Sequence, residues 1–410
     1  MHLPKLTRRN ALGLAAAGTA LSACGELGSG QAKRIAVVGG GIVGASIAWH
    51  LAKGGAAVTL IERHELATRA SRGTFAWLNA TWAKQPRAYH ALNQMGLAGW
   101  RDIEAELGLP IKWTGSLEWF DGAARQVRLA EQIAEQIEWG EPARMVPRAE
   151  LEAMEPNVDF ADATTAALSP NDGALDPVLA TRMLVESAVS MGAEVRTDCE
   201  VTGVRGGQGL SVLETSCGEI ECDHFVLATG ADPTATQTLA GIDIPQRSTP
   251  GVIVVTEPLD PLIEAIVVAP GVHIHQRLDG RVVLGEQQGA PQTQAHAQRL
   301  ANRPNAFPTP ELGLEHAGRI LEIARRYVPA LGEPRVEDVF IGWRPLPLDG
   351  HPAMGFSPAN PNAYIAIAHS GVTLAPIIGQ LAAQELLTGA ANDRLSDYRP
   401  TRSFEEVRRY

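Results

Sequence analysis

The stretch Lys33-Arg34-Ile35-Ala36-Val37-Val38-Gly39-Gly40-Gly41-Ile42-Val43-Gly44 decides the fold. Lys33 to Val38 is β-branched and apolar, as a short buried strand is, and it runs into glycines spaced G-x-G-x-x-G. Ala45 to Lys53 then reads as an apolar helix that stops at Gly54-Gly55, and Ala56 to Ile61 as a second strand ending at Glu62. Strand, glycines, helix, strand and acid in that order, within about 30 residues, make a dinucleotide-binding βαβ unit. Gly39 serves the tight turn, Gly41 lets backbone approach a pyrophosphate, and Gly44 lets helix and strand pack closely. Ile42 and Val43, in the motif just before the helix, are candidate contacts too, and the helix start, with its free N–H groups and partial positive charge, faces the phosphate. Glu62 sits where a carboxylate accepts from both ribose hydroxyls, with Arg63 beside it, and this disfavours a 2′-phosphate.

Further along, Ala70-Ser71-Arg72-Gly73-Thr74-Phe75-Ala76-Trp77 is small and polar where a simple nicotinamide domain would continue its alternating strands and helices. It suits a loop along a ribityl and pyrophosphate chain, with Ser71, Arg72 and Thr74 as candidate contacts. Much later, Glu200 to Val204, including Val201, reads as a strand, and Leu210 to Thr215 with Glu219 to Cys222 as a hairpin. His224 to Leu227 is a buried strand ending in Ala228-Thr229-Gly230. This is the layout of a two-dinucleotide-binding-domain flavoprotein: an α/β, Rossmann-like FAD-binding fold, interrupted by an inserted α+β substrate domain and then resumed.

From Arg34 to Phe404 the chain resembles the D-amino-acid oxidase family of FAD-dependent amine oxidoreductases, which includes glycine oxidases, sarcosine oxidases and D-amino-acid dehydrogenases. The pieces that carry the resemblance, besides the glycine motif and Glu62, are Thr114-Gly115-Ser116-Leu117, Asp172 to Pro177, Ala228-Thr229-Gly230, Gly342-Trp343-Arg344-Pro345 and Asp349 to Gly355. The most telling is Tyr364 to Pro376, a strand, a turn at His369-Ser370-Gly371 and a helix, which is similar to the family segment that meets the flavin. The resemblance implies that Gly371, Val372, Thr373 and Leu374 aim N–H groups at the pyrimidine edge of the ring, where reduction places negative charge. It also implies that Arg344 grips a substrate carboxylate with its planar fork; a structural salt bridge to Asp338 or Asp349 is the alternative. His369 is read as a pocket residue and not a base. Family members with covalently held flavin carry cysteine where this chain has Gly342 to Pro345, or histidine where it has Ser71-Arg72-Gly73, so the resemblance implies noncovalent FAD.

The implied reaction is oxidation of the C–N bond of a small amino acid or secondary amine, of glycine, sarcosine or D-amino-acid type, by hydride transfer to flavin N5, with oxygen or a membrane quinone as the electron acceptor. A noncatalytic flavin-binding subunit of a membrane-associated redox assembly is the other reading. The FAD-binding domain is expected at residues 33–85, 166–235 and 336–410, and the substrate domain at 86–165 and 236–335. Helices are expected around Ala91 to Leu107 and Ala124 to Trp139, and strands at Gly251 to Glu257 and Arg281 to Gly285; boundaries between Gln294 and Pro310 stay open. His273 and His275 share one face of a strand but have no third ligand nearby, so they read as ordinary sheet and no metal is expected. Trp77, Trp82, Trp113 and Trp119 read as core rather than as a substrate cage.

The chain has 410 residues, with 46 acidic against 35 basic and a net charge of −11, which argues against nucleic acid as a partner. Glycine, at 41, exceeds the usual share of about 7% and fits tight turns and close backbone approach. Residues 1–24 read as an export signal: a basic opening with Thr7-Arg8-Arg9, a short apolar run from Ala11, and Leu21-Ser22-Ala23-Cys24, which resembles a bacterial lipobox. That predicts an exported, periplasmic-side protein anchored to a membrane through lipid on Cys24, with residues 25–32 as a linker; a cytoplasmic protein is the alternative. Of Cys199, Cys217 and Cys222, the last two flank Gly218-Glu219, yet a two-residue turn there opposes Cys217 to Ile220, which disfavours a bridge between them.

Overall fold

The computed structural model of the chain describes residues 32–80, 84–207, 209–286 and 303–406. The export signal with Cys24, nearly all of the linker, Trp82, and the segment from Gln294 to residue 302 lie outside the described residues.

The opening strand β1 (Arg34–Val38), the helix α1 (Ile42–Lys53) and the strand β2 (Ala57–Ile61) form in the predicted order, the helix beginning at Ile42 and not at the expected Ala45. β1 pairs in parallel with β2 on one side and with His224–Leu227 on the other. It therefore sits inside a six-stranded sheet, completed by Glu194–Arg196 beyond β2 and by Ala363–Ile367 and Ala353–Phe356 beyond His224–Leu227. Every pairing is parallel except the last, between Ala353–Phe356 and Ala363–Ile367. Burial on both faces explains the near-continuous apolar run: Ile35 and Val37 pack with α1, while Ala36 and Val38 pack with Cys199, Leu213 and Leu227 on the opposite face.

The second large sheet has eight strands in the order Val336–Pro347, Gln246–Pro258, Arg281–Glu286, Val272–Gln276, Ile266–Ala269, Ser116–Glu118, Thr165–Ser169 and Arg144–Pro147. Its own core is built on Leu117, Val252, Val254, Val267, Ile274 and Leu284. The strands Val336–Pro347 and Thr165–Ser169, expected with the cofactor domain, belong to this sheet instead. Helix Arg87–Leu107, expected in the substrate domain, packs its buried Tyr89, Leu92, Trp100 and Ile103 into the core shared by α1 and the C-terminal helix Gly371–Thr388. The helix's apolar stripe was readable in the sequence, but the surface it covers was not.

The hairpin of Leu210–Thr215 and Gly218–Cys222 turns at Ser216-Cys217, because Thr215 pairs with Gly218 and Leu213 with Ile220. This turn lies two residues before the Gly218-Glu219 turn expected, and it brings Cys217 to Cys199, with which it forms a disulfide. Cys222 stays a buried free thiol, pushed up to about 12 by its burial. Among the described residues no helix is long and apolar enough to cross a membrane.

Candidate active site

The glycine turn is fixed by contacts that leave no room for a side chain. Gly39 has φ +115°, a left-handed conformation, and a Cβ on it would overlap the Ala228 carbonyl. A Cβ on Gly44 would overlap the Gly39 carbonyl oxygen, so Gly44 holds helix against strand as expected. Gly41 differs: the nearest atom to a Cβ there is Ser71 Oγ, 3.1 Å away, and the residue faces a cavity. Ser71 accepts a hydrogen bond of 2.9 Å from the Ile42 N–H, and so joins the loop to the start of α1. Glu62 accepts from the N–H groups of Gly40 at 2.7 Å and His64 at 3.0 Å, which fixes its carboxylate at the end of β2. Arg63 pairs with Asp232 at 3.3 Å.

The C-terminal helix Gly371–Thr388 opens on the same cavity, its first residue beside α1: a Cβ on Gly371 would stand 3.1 Å from Val43 Cγ2. Ser370, its N-cap, has φ +56° and makes no side-chain capping bond, so the helix opens its first turn of N–H groups to the cavity. This end is held firmly. Trp100 donates from Nε1 to the Val372 carbonyl at 2.7 Å, and Thr373 Oγ1 accepts from the Asn79 N–H and donates to the Trp77 carbonyl, both at 3.2 Å. His369 Nδ1 lies 3.3 Å from Ser370 Oγ.

The third wall is the paired backbone of Gln246–Pro258 and Val336–Pro347, which sets Arg344 opposite Thr249 and Gly342 opposite Gly251. The Arg344 guanidinium lies over Gly251, with Nη2 at 3.1 Å from where a Cβ would stand. The two acids proposed as alternative partners for Arg344 are engaged with other arginines: Asp338 with Arg72 at 2.6 Å and Asp349 with Arg402 at 2.7 Å. His273 is half-buried beside Phe75, Trp77 and Arg344, and desolvation, reinforced by the Arg344 cation, lowers it to about 4. His275, lowered to about 3 by burial, donates from Nε2 to the Phe75 carbonyl at 3.0 Å. Both are neutral sheet residues, and the described residues contain no cluster of metal ligands.

These walls enclose one cavity of about 2550 Å³, well above the roughly 300–1,000 Å³ of a cleft for one small ligand. Of the predicted site residues, Gly39, Gly41, Ile42, Val43, Glu62 and Arg63 line it. So do Ser71, Thr74, Val201, Thr229 and Gly230, and Arg344, His369, Gly371, Val372 and Thr373. Gly44 and Leu374 do not line the cavity; they are packing residues behind it, and Arg72 turns away from it to Asp338 and the Phe340 ring. Sequence reasoning missed Lys84 and the cavity-facing role of His273, and Trp77 lines the cavity as well as packing. Trp119 is core, as expected.

A long dinucleotide fits these residues on two observations. The backbone at Gly41 is open to the cavity where a side chain would obstruct it. Thr229 Oγ1, buried and lining the cavity, has no hydrogen-bond partner among the described residues.

Comparison with known proteins gives a consistent result. The family model for FAD dependent oxidoreductases matches residues 34–385. The chain is 26% identical over 382 residues to a subunit of the opine oxidase of Agrobacterium tumefaciens (strain Ach5), a match that covers 88% of this chain and 95% of that protein. It is 27% identical over 342 residues to the mitochondrial sarcosine dehydrogenase of Mus musculus, covering 79% of this chain but 36% of that longer protein. The crystal structure of glycine oxidase from Geobacillus kaustophilus superposes with a TM-score of 0.80 at 23% identity, over 91% of this chain and 100% of that one, which shows the shared fold.

Proposed function

The chain belongs to the DAO family of FAD-dependent oxidoreductases, and on that premise we propose that it oxidises the C–N bond of a small amino acid or secondary amine of glycine, sarcosine or D-amino-acid type. The observation that carries the proposal is the placement of Arg344 on the same cavity as the uncapped start of the C-terminal helix. The names of similar proteins, opine oxidase, glycine oxidase and sarcosine dehydrogenase, support the substrate class.

FAD would be held noncovalently by the α1 N-terminus, Glu62, Ser71, Thr229 and the first turn of Gly371–Thr388, and when bound it supplies a two-electron acceptor for the substrate's hydride. The work of the protein is then positioning. Arg344 offers two parallel N–H groups to a carboxylate, so the α-carbon is fixed in distance and in rotation. His273, neutral beside it, stands with its ring edge-on to Phe75 and leaves the positive charge at this wall to Arg344. An amine bound in its neutral form needs no strong general base, so orientation by Arg344 is the main demand on the pocket.

We place the protein on the periplasmic side of a membrane, anchored through Cys24, with oxygen or a membrane quinone as electron acceptor. Thr7-Arg8-Arg9 and Leu21-Ser22-Ala23-Cys24 support export, and the Cys199–Cys217 disulfide fits an oxidising compartment.

The test is anaerobic bleaching of bound FAD by glycine, sarcosine, D-proline and a panel of D-amino acids, compared with simple amines that lack a carboxylate. Bleaching by amino acids supports the reading. Bleaching by the simple amines alone overturns it.

A further inference from the structure

Lys84 is 8% exposed, lines the cavity, and holds its Nζ 3.5 Å from Ser370 Oγ, which in turn lies 3.3 Å from His369 Nδ1. The residue that follows it is pinned on both sides. The Gln85 carbonyl accepts from His351 Nε2 at 3.1 Å, and the Gln85 amide donates to Glu135 on helix Ala123–Glu138. An ammonium buried at a cavity wall acts through a medium of low dielectric, where its charge reaches further than in water, and Ser370 gives it a direction. The same spot already has the positive end of an 18-residue helix whose first turn has no side-chain cap. Two independent sources of positive potential, a side chain from one segment and a helix dipole from another, therefore converge on one end of the cavity.

We propose that Lys84 is a redox-tuning residue: its fixed positive charge, added to that of the helix start, favours the reduced, negatively charged form of FAD over the oxidised, neutral form. The inference rests on the reading that the flavin ring lies at this helix. It assigns to Ser370 the task of aiming the ammonium, and it makes Lys84 a positioning group for charge, not a proton donor or acceptor. An ammonium preoriented in a low-dielectric site costs no reorganisation when the cofactor is reduced, which is why a single lysine is enough to matter.

The experiment uses the full-length FAD-loaded protein and no amine. Midpoint potentials are measured by photoreduction against an indicator dye for wild type, Lys84→Met and Lys84→Arg, and sulfite, whose addition to FAD also leaves negative charge, is titrated spectroscopically. Lys84→Met should lower the two-electron reduction equilibrium about tenfold, which is about 30 mV, and weaken sulfite binding by a similar factor, while Lys84→Arg stays near wild type at equal FAD content. Potential and sulfite affinity of Lys84→Met within twofold of wild type overturn the proposal. Should Lys84→Met fail to retain FAD, Lys84→Gln, which is polar and carries no charge, is measured the same way, and a wild-type potential there overturns it equally. Because neither readout involves substrate, a wrong substrate class leaves this result standing. An enzyme bleached by glycine whose potential ignores Lys84 keeps its assigned function and loses only this assignment.

Discussion

Gly73 and Gly342 meet backbone to backbone: a Cβ on either would overlap the other's main chain. The contact ties the loop after β2, which touches α1 through Ser71, to the strand that carries Arg344. Cofactor and substrate walls are therefore set against each other at this glycine pair, with the Arg72–Asp338 ion pair beside it. Gly342→Ala should force them apart and cost about 1–3 kcal/mol, as overpacking does. We expect a lowered Tm together with weaker FAD retention, read by thermal denaturation and flavin absorbance on the same sample. An unchanged Tm would show that one of the two backbones yields freely.

Gly41→Val separates binding from folding. The position faces the cavity, and the nearest obstacle to its Cβ is the Ser71 hydroxyl, so the fold should form while the branched side chain occupies the approach to the pyrophosphate. The expected product is a soluble, colourless protein with near-native far-UV circular dichroism. Yellow protein with full FAD content would remove Gly41 from the phosphate site.

What the sequence revealed and what it concealed divide along the range of the interactions involved. β1, the glycine turn, α1 and β2 were legible because each signal lies within a few residues of the next, and Gly39, Gly41 and Gly44 stand where the pattern put them. Lys84 was not legible: nothing near it in the chain marks it, and its meaning comes from Ser370, 286 residues away. The same holds for Arg72, plausible as a phosphate contact by position but drawn by Asp338 on a distant strand. Cys217 and Cys222 are not bridged to each other, as expected, but the Cys199–Cys217 bridge was not legible, for a different reason. The hairpin register was assumed from the glycine, whereas the alternation of Leu213 and Ile220 into the core fixes the turn two residues earlier and frees Cys217 to reach Cys199.

Stability should peak near neutral pH, for two opposing reasons. His273 and His275 are held below their ordinary 6.5, at about 4 and about 3, chiefly by burial. The unfolded chain therefore binds protons that the fold refuses, and stability falls as pH drops from about 6.5 to about 3. Glu118 goes the other way. Burial, with Asp172 nearby, raises it from 4.5 to about 8, so the fold keeps a proton that the unfolded chain releases, and stability falls as pH rises through that range. Between about pH 4.5 and 6.5 the two slopes oppose, and the lowered histidines, among them His50 at about 4 through burial, outweigh Glu118, which puts the maximum near the upper end of that interval. A Tm profile against pH should show both limbs, and Glu118→Gln should flatten the alkaline one; an alkaline limb that persists in this variant would show that Glu118 is already ionised in the fold.

Export and anchoring lead to a count of thiols. With Cys24 lipidated and Cys199 bonded to Cys217, the mature, unreduced protein should expose one reactive thiol on denaturation, that of Cys222, and none while folded. Labelled palmitate should enter the wild type and not Cys24→Ser. Three thiols in the denatured protein, without reductant, would contradict both the disulfide and the oxidising compartment.

Arg344 provides the most direct test of the substrate. If its guanidinium meets a carboxylate in a water-poor pocket, removing it leaves that charge unpaired, at about 3–5 kcal/mol. By transition-state arithmetic that is roughly a hundredfold to a few thousandfold in kcat/KM for Arg344→Ala. Arg344→Lys should recover only part, because an ammonium cannot reproduce two parallel hydrogen bonds. Both variants should carry normal FAD, since the residue faces the cavity from the strand Val336–Pro347 and not from the loop or helices that would hold the cofactor. His273 should also rise toward its ordinary value once the neighbouring cation is gone, though burial keeps it low, so the acid limb of the Tm profile should shrink slightly in Arg344→Ala. Anaerobic bleaching rates that are equal across wild type and both variants would take Arg344 out of the site, whereas a loss confined to substrates with a carboxylate would fix what it binds.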